Sequence, residues 1–142
     1  MIIKIDHNIE PMKRPRVSNG HAWSPSSKQV DKLAWEIKQQ ANGVKFKEPV
    51  HISVVLGKYQ NKKGDLDNIL KTILDAIVKA GVIKDDSQKY VASLSIHNYS
   101  KWQYRQYEPY EPVWTSLSIH GYTEWEHRKS TYISITETSH GV

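Results

Sequence analysis

The chain has no cysteine. Disulfides and thiolate metal sites are therefore excluded, and a reducing cytosol fits. No stretch approaches the roughly 20 apolar residues that a membrane-spanning helix needs. The opening Met-Ile-Ile-Lys-Ile-Asp is too short and too broken an apolar run for a signal peptide. There is no phosphate-cradling glycine loop, which weakens a small-molecule phosphohydrolase reading. No Pro, Gly or charge cluster marks an interdomain linker, so 142 residues read as one domain, long enough to bury a core. Acidic residues are in the minority, 15 against 20 Lys and Arg, giving +5 and a pI near 9.3. Such a balance suits a polyanion partner, although many basic proteins bind no nucleic acid.

The most informative stretch runs from Lys63 to Gln88. Leu66, Ile69, Leu70, Ile73, Leu74, Ile77 and Val78 follow the i, i+3, i+4, i+7 pattern of an amphipathic helix. Asp65 stands where an N-cap belongs, with Lys79 in the last turn and Gly81 just beyond. Asp67 and Lys71 are four apart and share a face on the flank of the apolar stripe. Charges at such a boundary are partly desolvated, which suits them for chemistry. Asp85 and Asp86 follow the helix.

Three carboxylates could converge here: Asp65, Asp67 and one or both of Asp85 and Asp86. Clustered carboxylates repel and do not all ionise without a cation. Mg²⁺, a hard ion that prefers oxygen ligands, suits such a set. With a phosphodiester substrate the metal would activate water, and Lys71 would add positive charge in the transition state. The plainer reading is that Asp65 caps the helix and Asp67 favours its positive end. Asp67–Lys71 and Lys71–Asp75 would then be surface ion pairs of about 0.3–0.5 kcal/mol each, and Asp85-Asp86-Ser87 a polar turn.

Gly64-Asp-Leu-Asp-Asn-Ile-Leu-Lys71, Leu74-Asp-Ala76 and Ala80-Gly-Val-Ile-Lys-Asp-Asp-Ser-Gln88 together resemble the signature of the RusA family of Holliday junction resolvases. The resemblance is strong from Lys63 to Gln88 and looser from Ile2 to Gly57. It implies metal-binding carboxylates at Asp65, Asp67 and Asp86, a catalytic lysine at Lys71, and Asp85 as a further ligand or outer-shell group. It also implies a Mg²⁺-dependent endodeoxyribonuclease, with Mn²⁺ able to substitute. Such an enzyme would resolve four-way DNA junctions by paired incisions during recombination and repair. A homodimer in the cytoplasm, of bacterial or phage type and with no membrane association, completes the expectation. The alternative is a branched-DNA binding protein without nuclease activity.

In chain order, Ile2 to Ile9 alternates as a strand. Pro11-Met-Lys-Arg-Pro-Arg16 is extended or turned and carries Lys13, Arg14 and Arg16, either as DNA phosphate contacts or as a solvated basic loop. Ser18-Asn19-Gly20 is a turn signal. Ser24-Pro-Ser-Ser27 starts a second helix, with Val30, Leu33, Ala34, Ile37 and Ala41 as its apolar stripe and Asn42-Gly43 as its stop. Lys28, Lys32 and Lys38 decorate its outside, and Trp23 and Trp35 read as packing residues. Pro49 opens a strand with Val50, Ile52, Val54 and Leu56 on one face and His51 and Ser53 on the other. Gly57 to Lys63 is a loop whose Lys58, Lys62 and Lys63 could concentrate phosphate beside the carboxylates.

Lys89 to Tyr99 reads as a strand with an imperfect register, consistent with a bulge. Thr131 to Thr136 reads as the last strand, and Ser139 to Val142 as a loose tail. Ser93-Leu-Ser-Ile-His-Asn-Tyr-Ser-Lys-Trp102 recurs as Ser116-Leu-Ser-Ile-His-Gly-Tyr-Thr-Glu-Trp125, with seven of ten positions matching at a spacing of 23. A local duplication that adds a strand is the simplest account. Tyr104, Tyr107, Tyr110 and Trp114 lie between the copies, as base-stacking residues or as cover for a sheet edge or subunit interface. Residues 100–130 thus look like an aromatic-rich insertion relative to the compact family. The expected fold is α/β of the α+β type, a mixed sheet packed with two main helices. A helix of about 14 residues is about 21 Å long. Asp85-Asp86 must therefore return along it to reach Asp67, or contribute from another subunit.

Overall fold

The computed structural model describes residues 1–12, 16–18, 21–23, 27–61, 63–98 and 129–138. In chain order the elements are β1 (Ile2–Ile5), β2 (Arg16–Ser18), β3 (His21–Trp23), α1 (Ser27–Ala41), β4 (Val50–Leu56), α2 (Leu66–Lys79), β5 (Val91–Asn98) and β6 (Thr131–Glu137). Four strands form a mixed sheet in the order β1-β6-β4-β5, and β2 pairs antiparallel with β3 in a separate ribbon. β4 runs parallel to β5 and antiparallel to β6, which is antiparallel to β1. The fold is α+β, as the sequence led us to expect. Parallel neighbours need a crossover, and α2 supplies it between β4 and β5.

The core lies between one face of this sheet and the two helices. The whole stripe expected on α1 is buried: Val30, Leu33, Ala34, Ile37 and Ala41. It meets Ile3 and Ile5 of β1, Ile52, Val54 and Leu56 of β4, and Ile133 and Ile135 of β6 in one cluster. On α2 the buried line is Ile69, Thr72, Ile73, Leu74, Ala76 and Ile77. Leu70 and Val78 are only partly buried, and Leu66 is 39% exposed. The apolar arc of α2 is thus wider than the face it packs. Val55 and Tyr132, register partners on β4 and β6, are buried but lie outside this cluster, on the sheet's opposite face by strand alternation.

Both helix stops follow the sequence. At the end of α2, Gly81 N–H donates to Val78 O at 2.9 Å and Val82 N–H to Ile77 O at 3.3 Å. With Gly81 at φ +79° this is the reverse turn that glycine favours after a helix. Val82 and Ile83 then dive into the core, and Phe46 N–H holds Val82 O at 2.8 Å. At the end of α1, Asn42 and Gly43 both take positive φ.

Three expectations are corrected. The first strand ends at Ile5 rather than Ile9, because the chain leaves the sheet at the polar Asp6-His7-Asn8 and is held beyond it by side chains. β5 begins at Val91 rather than Lys89, since Tyr90 and Val91 N–H both bond Ser87 O in a turn. Trp35 is not a packing residue: it sits on the outer face of α1 and is 63% exposed. The expected bulge is present, as the β4–β5 register shifts between Val50 and His51, leaving Ala92 without a partner. Among the described residues no helix is long and apolar enough to cross a membrane. The second copy of the duplication, the aromatic residues 104–114, the expected extra strand and the tail lie outside the described residues.

Candidate active site

Asp65 holds the N-cap position of α2 with extended backbone (φ −91°, ψ 146°), and its carbonyl accepts Ile69 N–H at 3.1 Å. Its carboxylate, however, makes no capping hydrogen bond. The plain capping role therefore accounts for the backbone of Asp65 but not for its exposed side chain. Asp67, in the first turn, is exposed, with Oδ1 accepting Asn68 N–H at 3.0 Å. Lys71 is exposed one turn on. The acid–base contacts among the described residues are Lys4–Asp6, Lys79–Asp31 and the hydrogen-bonded His7–Glu36 pair. Lys71 pairs at contact distance with neither Asp67 nor Asp75.

The chain after α2 turns back along it. Asp75 lies one turn beyond Lys71 and is half-buried. Its carboxyl is pushed above the usual range first by burial and then by the negative charge of Asp86, with Lys71 pulling the other way. Asp86 is thus within electrostatic reach of the middle of α2, in the same chain. The return is made by Gly81 and by Val82 and Ile83, which anchor the loop in the core. Asp85 turns aside: its Oδ1 accepts Ser87 N–H at 2.8 Å, and the Ser87 hydroxyl and amide hold its carboxyl below the usual range. Sequence reading placed Asp75 only as an ion-pair partner of Lys71. The signal that could have raised its standing was its i+4 spacing from Lys71 on the flank of the stripe.

Among the described residues no group of three His, Cys, Asp or Glu side chains is gathered closely enough to hold a metal ion. Asp65, Asp67 and Asp86 lie along one helix without converging. The donor set still fits a hard divalent cation, being all oxygen and exposed, with Asp65 and Asp67 at the positive end of α2. Mg²⁺ in particular is held through one or two carboxylates plus substrate phosphate and water, so three convergent ligands are not required in advance.

Of the basic residues, Lys58 and Lys63 are exposed on the loop between β4 and α2. Arg16 lies in β2, its backbone opposite Trp23. Lys13, Arg14 and Lys62 lie outside the described residues. The segment leading to Lys13 is anchored beside the acidic residues: Met12 N–H donates to Asn68 O at 3.0 Å. His51, read as a half-exposed strand residue, is exposed and bonds Ser93 Oγ across the β4–β5 pair at 2.6 Å. His97 is buried, and burial lowers its pKa.

Compared with known proteins, residues 7–109 match the family described as "Endodeoxyribonuclease RusA". This range takes in Asp65, Asp67, Lys71 and Asp86 and ends within the stretch read as an insertion. A curated protein similar to this chain is the crossover junction endodeoxyribonuclease RusA of Aquifex aeolicus (strain VF5), 33% identical over 75 residues. Those residues are 53% of this chain and 52% of the relative, so the match spans about half the length of the curated protein.

Proposed function

Because the chain belongs to the RusA endodeoxyribonuclease family, we propose that it is a Mg²⁺-dependent nuclease that cuts four-way DNA junctions. The observation that carries the site assignment is the Asp65 carboxylate, which stands at the N-cap and does not cap. A residue with a purely structural role there would use that oxygen on the helix amides. In this reading Asp65, Asp67 and Asp86 hold the cation, and Asp85, tied to Ser87, supports the loop that carries Asp86. When bound, the cation would activate water and offset charge on the phosphate.

The protein's own residues do the rest. Lys71, with no ion-pair partner at contact distance among the described residues, is available to neutralise charge building on the phosphate oxygens. The positive end of α2 favours a phosphate at the same place. Lys58 and Lys63, with Lys62, Lys13, Arg14 and Arg16 by sequence, raise the local concentration of DNA backbone around the acidic groups. Binding of this kind reads charge and shape more than base identity. Two copies related by a two-fold axis would suit a four-way junction with two strands to cut. The setting is a cytoplasm in which recombination and repair produce such junctions.

A second reading is favoured by one observation, the lack of a gathered metal site among the described residues. It is a branched-DNA binding protein with no nuclease activity. A cleavage assay separates the two, using a synthetic four-way junction with and without Mg²⁺ beside linear duplex and a flap. Symmetric Mg²⁺-dependent nicks on the junction are the expected result. Tight binding without nicks under any divalent ion would establish the second reading. Asp67→Asn is expected to abolish cutting while retaining junction binding, and intact cutting by that variant would overturn the site assignment.

A further inference from the structure

Three glutamines grip the main chain in the same way. Gln40 accepts Lys4 N–H at 2.8 Å and donates to Lys4 O at 2.7 Å. Gln29 accepts Glu10 N–H at 2.6 Å and donates to Glu10 O at 3.1 Å. Gln60 accepts Ile9 N–H at 2.7 Å and donates to Ile9 O at 2.6 Å. Each side-chain amide satisfies one residue's donor and acceptor as a neighbouring strand would. Gln60 differs from the other two in being buried, at 7% exposure, against a wholly buried Ile9.

The segment that Gln60 and Gln29 hold, residues 8–12, is a strap across the base of the acidic site. Asn8 Oδ1 accepts Asn61 N–H at 2.8 Å. Glu10 O accepts the Thr72 hydroxyl at 2.9 Å, and Met12 N–H donates to Asn68 O. Pro11 lies so close to Gly64 that a Cβ on the glycine would stand 2.5 Å from Pro11 Cγ. The strap therefore grips residues 60, 61, 64, 68 and 72, on both sides of Asp65 and Asp67 in the chain.

This matters because Asp65 lies outside the helix that carries Asp67. Its backbone is extended, and it follows Gly64 at φ +84°. The direction in which Asp65 presents its carboxylate beside Asp67 thus depends on the extended cap backbone and the Gly64 turn leading into it, as well as on the bond from Ile69 N–H to its carbonyl. Mg²⁺ demands near-ideal octahedral ligation and tolerates little misplacement. We infer that Gln60 is a positioning residue, holding the strap so that Asp65 and Asp67 stand at metal-binding separation. The inference rests on the reading of those two aspartates as metal ligands.

The test compares Gln60→Met with Gln40→Met. Both remove a two-bond amide clamp at similar volume, but Gln40, in α1, clamps Lys4 of β1, away from the strap. Junction cleavage is titrated with Mg²⁺ well below each variant's thermal midpoint, and junction affinity is measured in EDTA. Gln60→Met is expected to need about tenfold more Mg²⁺ for half-maximal cutting, the scale of losing an outer-shell partner. Its metal-free junction affinity should stay within about twofold of the parent. Gln40→Met is expected to lower the thermal midpoint alone. A folded Gln60→Met with the parental Mg²⁺ requirement overturns the inference. If Gln60→Met does not fold, Gln29→Met, which loosens the same strap at Glu10 from the surface, is read in the same way with the same two outcomes. Asp67→Asn run alongside separates the failures. If it cuts normally, the site reading falls. If it is inactive while the glutamine variants titrate like the parent, the positioning role alone falls.

Discussion

At the scale of single residues, similar side chains have been given different work by their surroundings. Asp85 is tied to Ser87, Asp75 is half-buried within the field of Asp86, and the Asp65 carboxylate makes no capping hydrogen bond. Lys71 has no ion-pair partner among the described residues, so Lys71→Ala should leave folding unaltered and lower the single-turnover cleavage rate by roughly 10²–10³-fold, as loss of a charge-stabilising donor does. Asp75 allows a pH prediction. Its folded-state pKa is raised, so the native protein binds more protons than the unfolded chain between the ordinary carboxyl value of 3.8 and the raised one. Stability is therefore lost as pH rises through that window. In metal-free buffer Asp75→Asn should raise stability at neutral pH, by under about 1 kcal/mol after allowing for solvent screening. The gain should fade as pH falls towards 3.8. Urea midpoints measured across pH would check this, and a gain that grows in acid would contradict it.

At the scale of elements, α2 is both core and site. Ile73 is fully buried on its inner side, and Ile73→Ala should cost about 2–5 kcal/mol by leaving a cavity beneath the acidic flank. Chemical denaturation would measure the loss. The loop from Gly57 to Gly64 carries the exposed Lys58 and Lys63. If each touches one phosphate, Lys58→Ala and Lys63→Ala should weaken binding evenly across DNA sequences. Each should also reduce the slope of log affinity against log salt by about 1. Fluorescence anisotropy at several salt concentrations reads both effects. Much of this scale was legible in advance. The stripe on α1, the stops at Asn42-Gly43 and Gly81, the β5 bulge and the last strand follow from periodicity and backbone preference, which act over a few residues. Leu66 stands on the apolar pattern of α2 yet is exposed, because periodicity reports which residues are apolar, not how wide a face the fold covers; Trp35 lies off the α1 stripe, and its size alone suggests packing.

At the scale of the molecule, the open question from the sequence was how Asp86 reaches the other acids. Its negative charge helps to raise the Asp75 carboxyl, so it lies within electrostatic range of α2 in its own chain, although it is not gathered with Asp65 and Asp67 among the described residues. A site completed within one subunit makes a distinct prediction for the proposed dimer. Mixed dimers of Asp67→Asn and Asp86→Asn would contain no intact site, so co-expression should restore no junction cutting. A site shared between subunits would instead regain one working copy of the two. Gel-purified mixed dimers on a labelled junction decide this.

The sequence by itself determined the two helices, the sheet class, the buried stripes and the residues to suspect, because side-chain period, caps and a long specific motif are local properties. Tertiary structure alone decided that Asp65 leaves its cap bond unmade, that Asp86 folds back towards Asp75, and that three glutamines bind the main chain as strands would. Those outcomes depend on contacts between segments as far apart as Ile9 and Gln60, 51 residues in sequence. Spacing along a chain carries no record of which of many polar side chains will meet across such a distance.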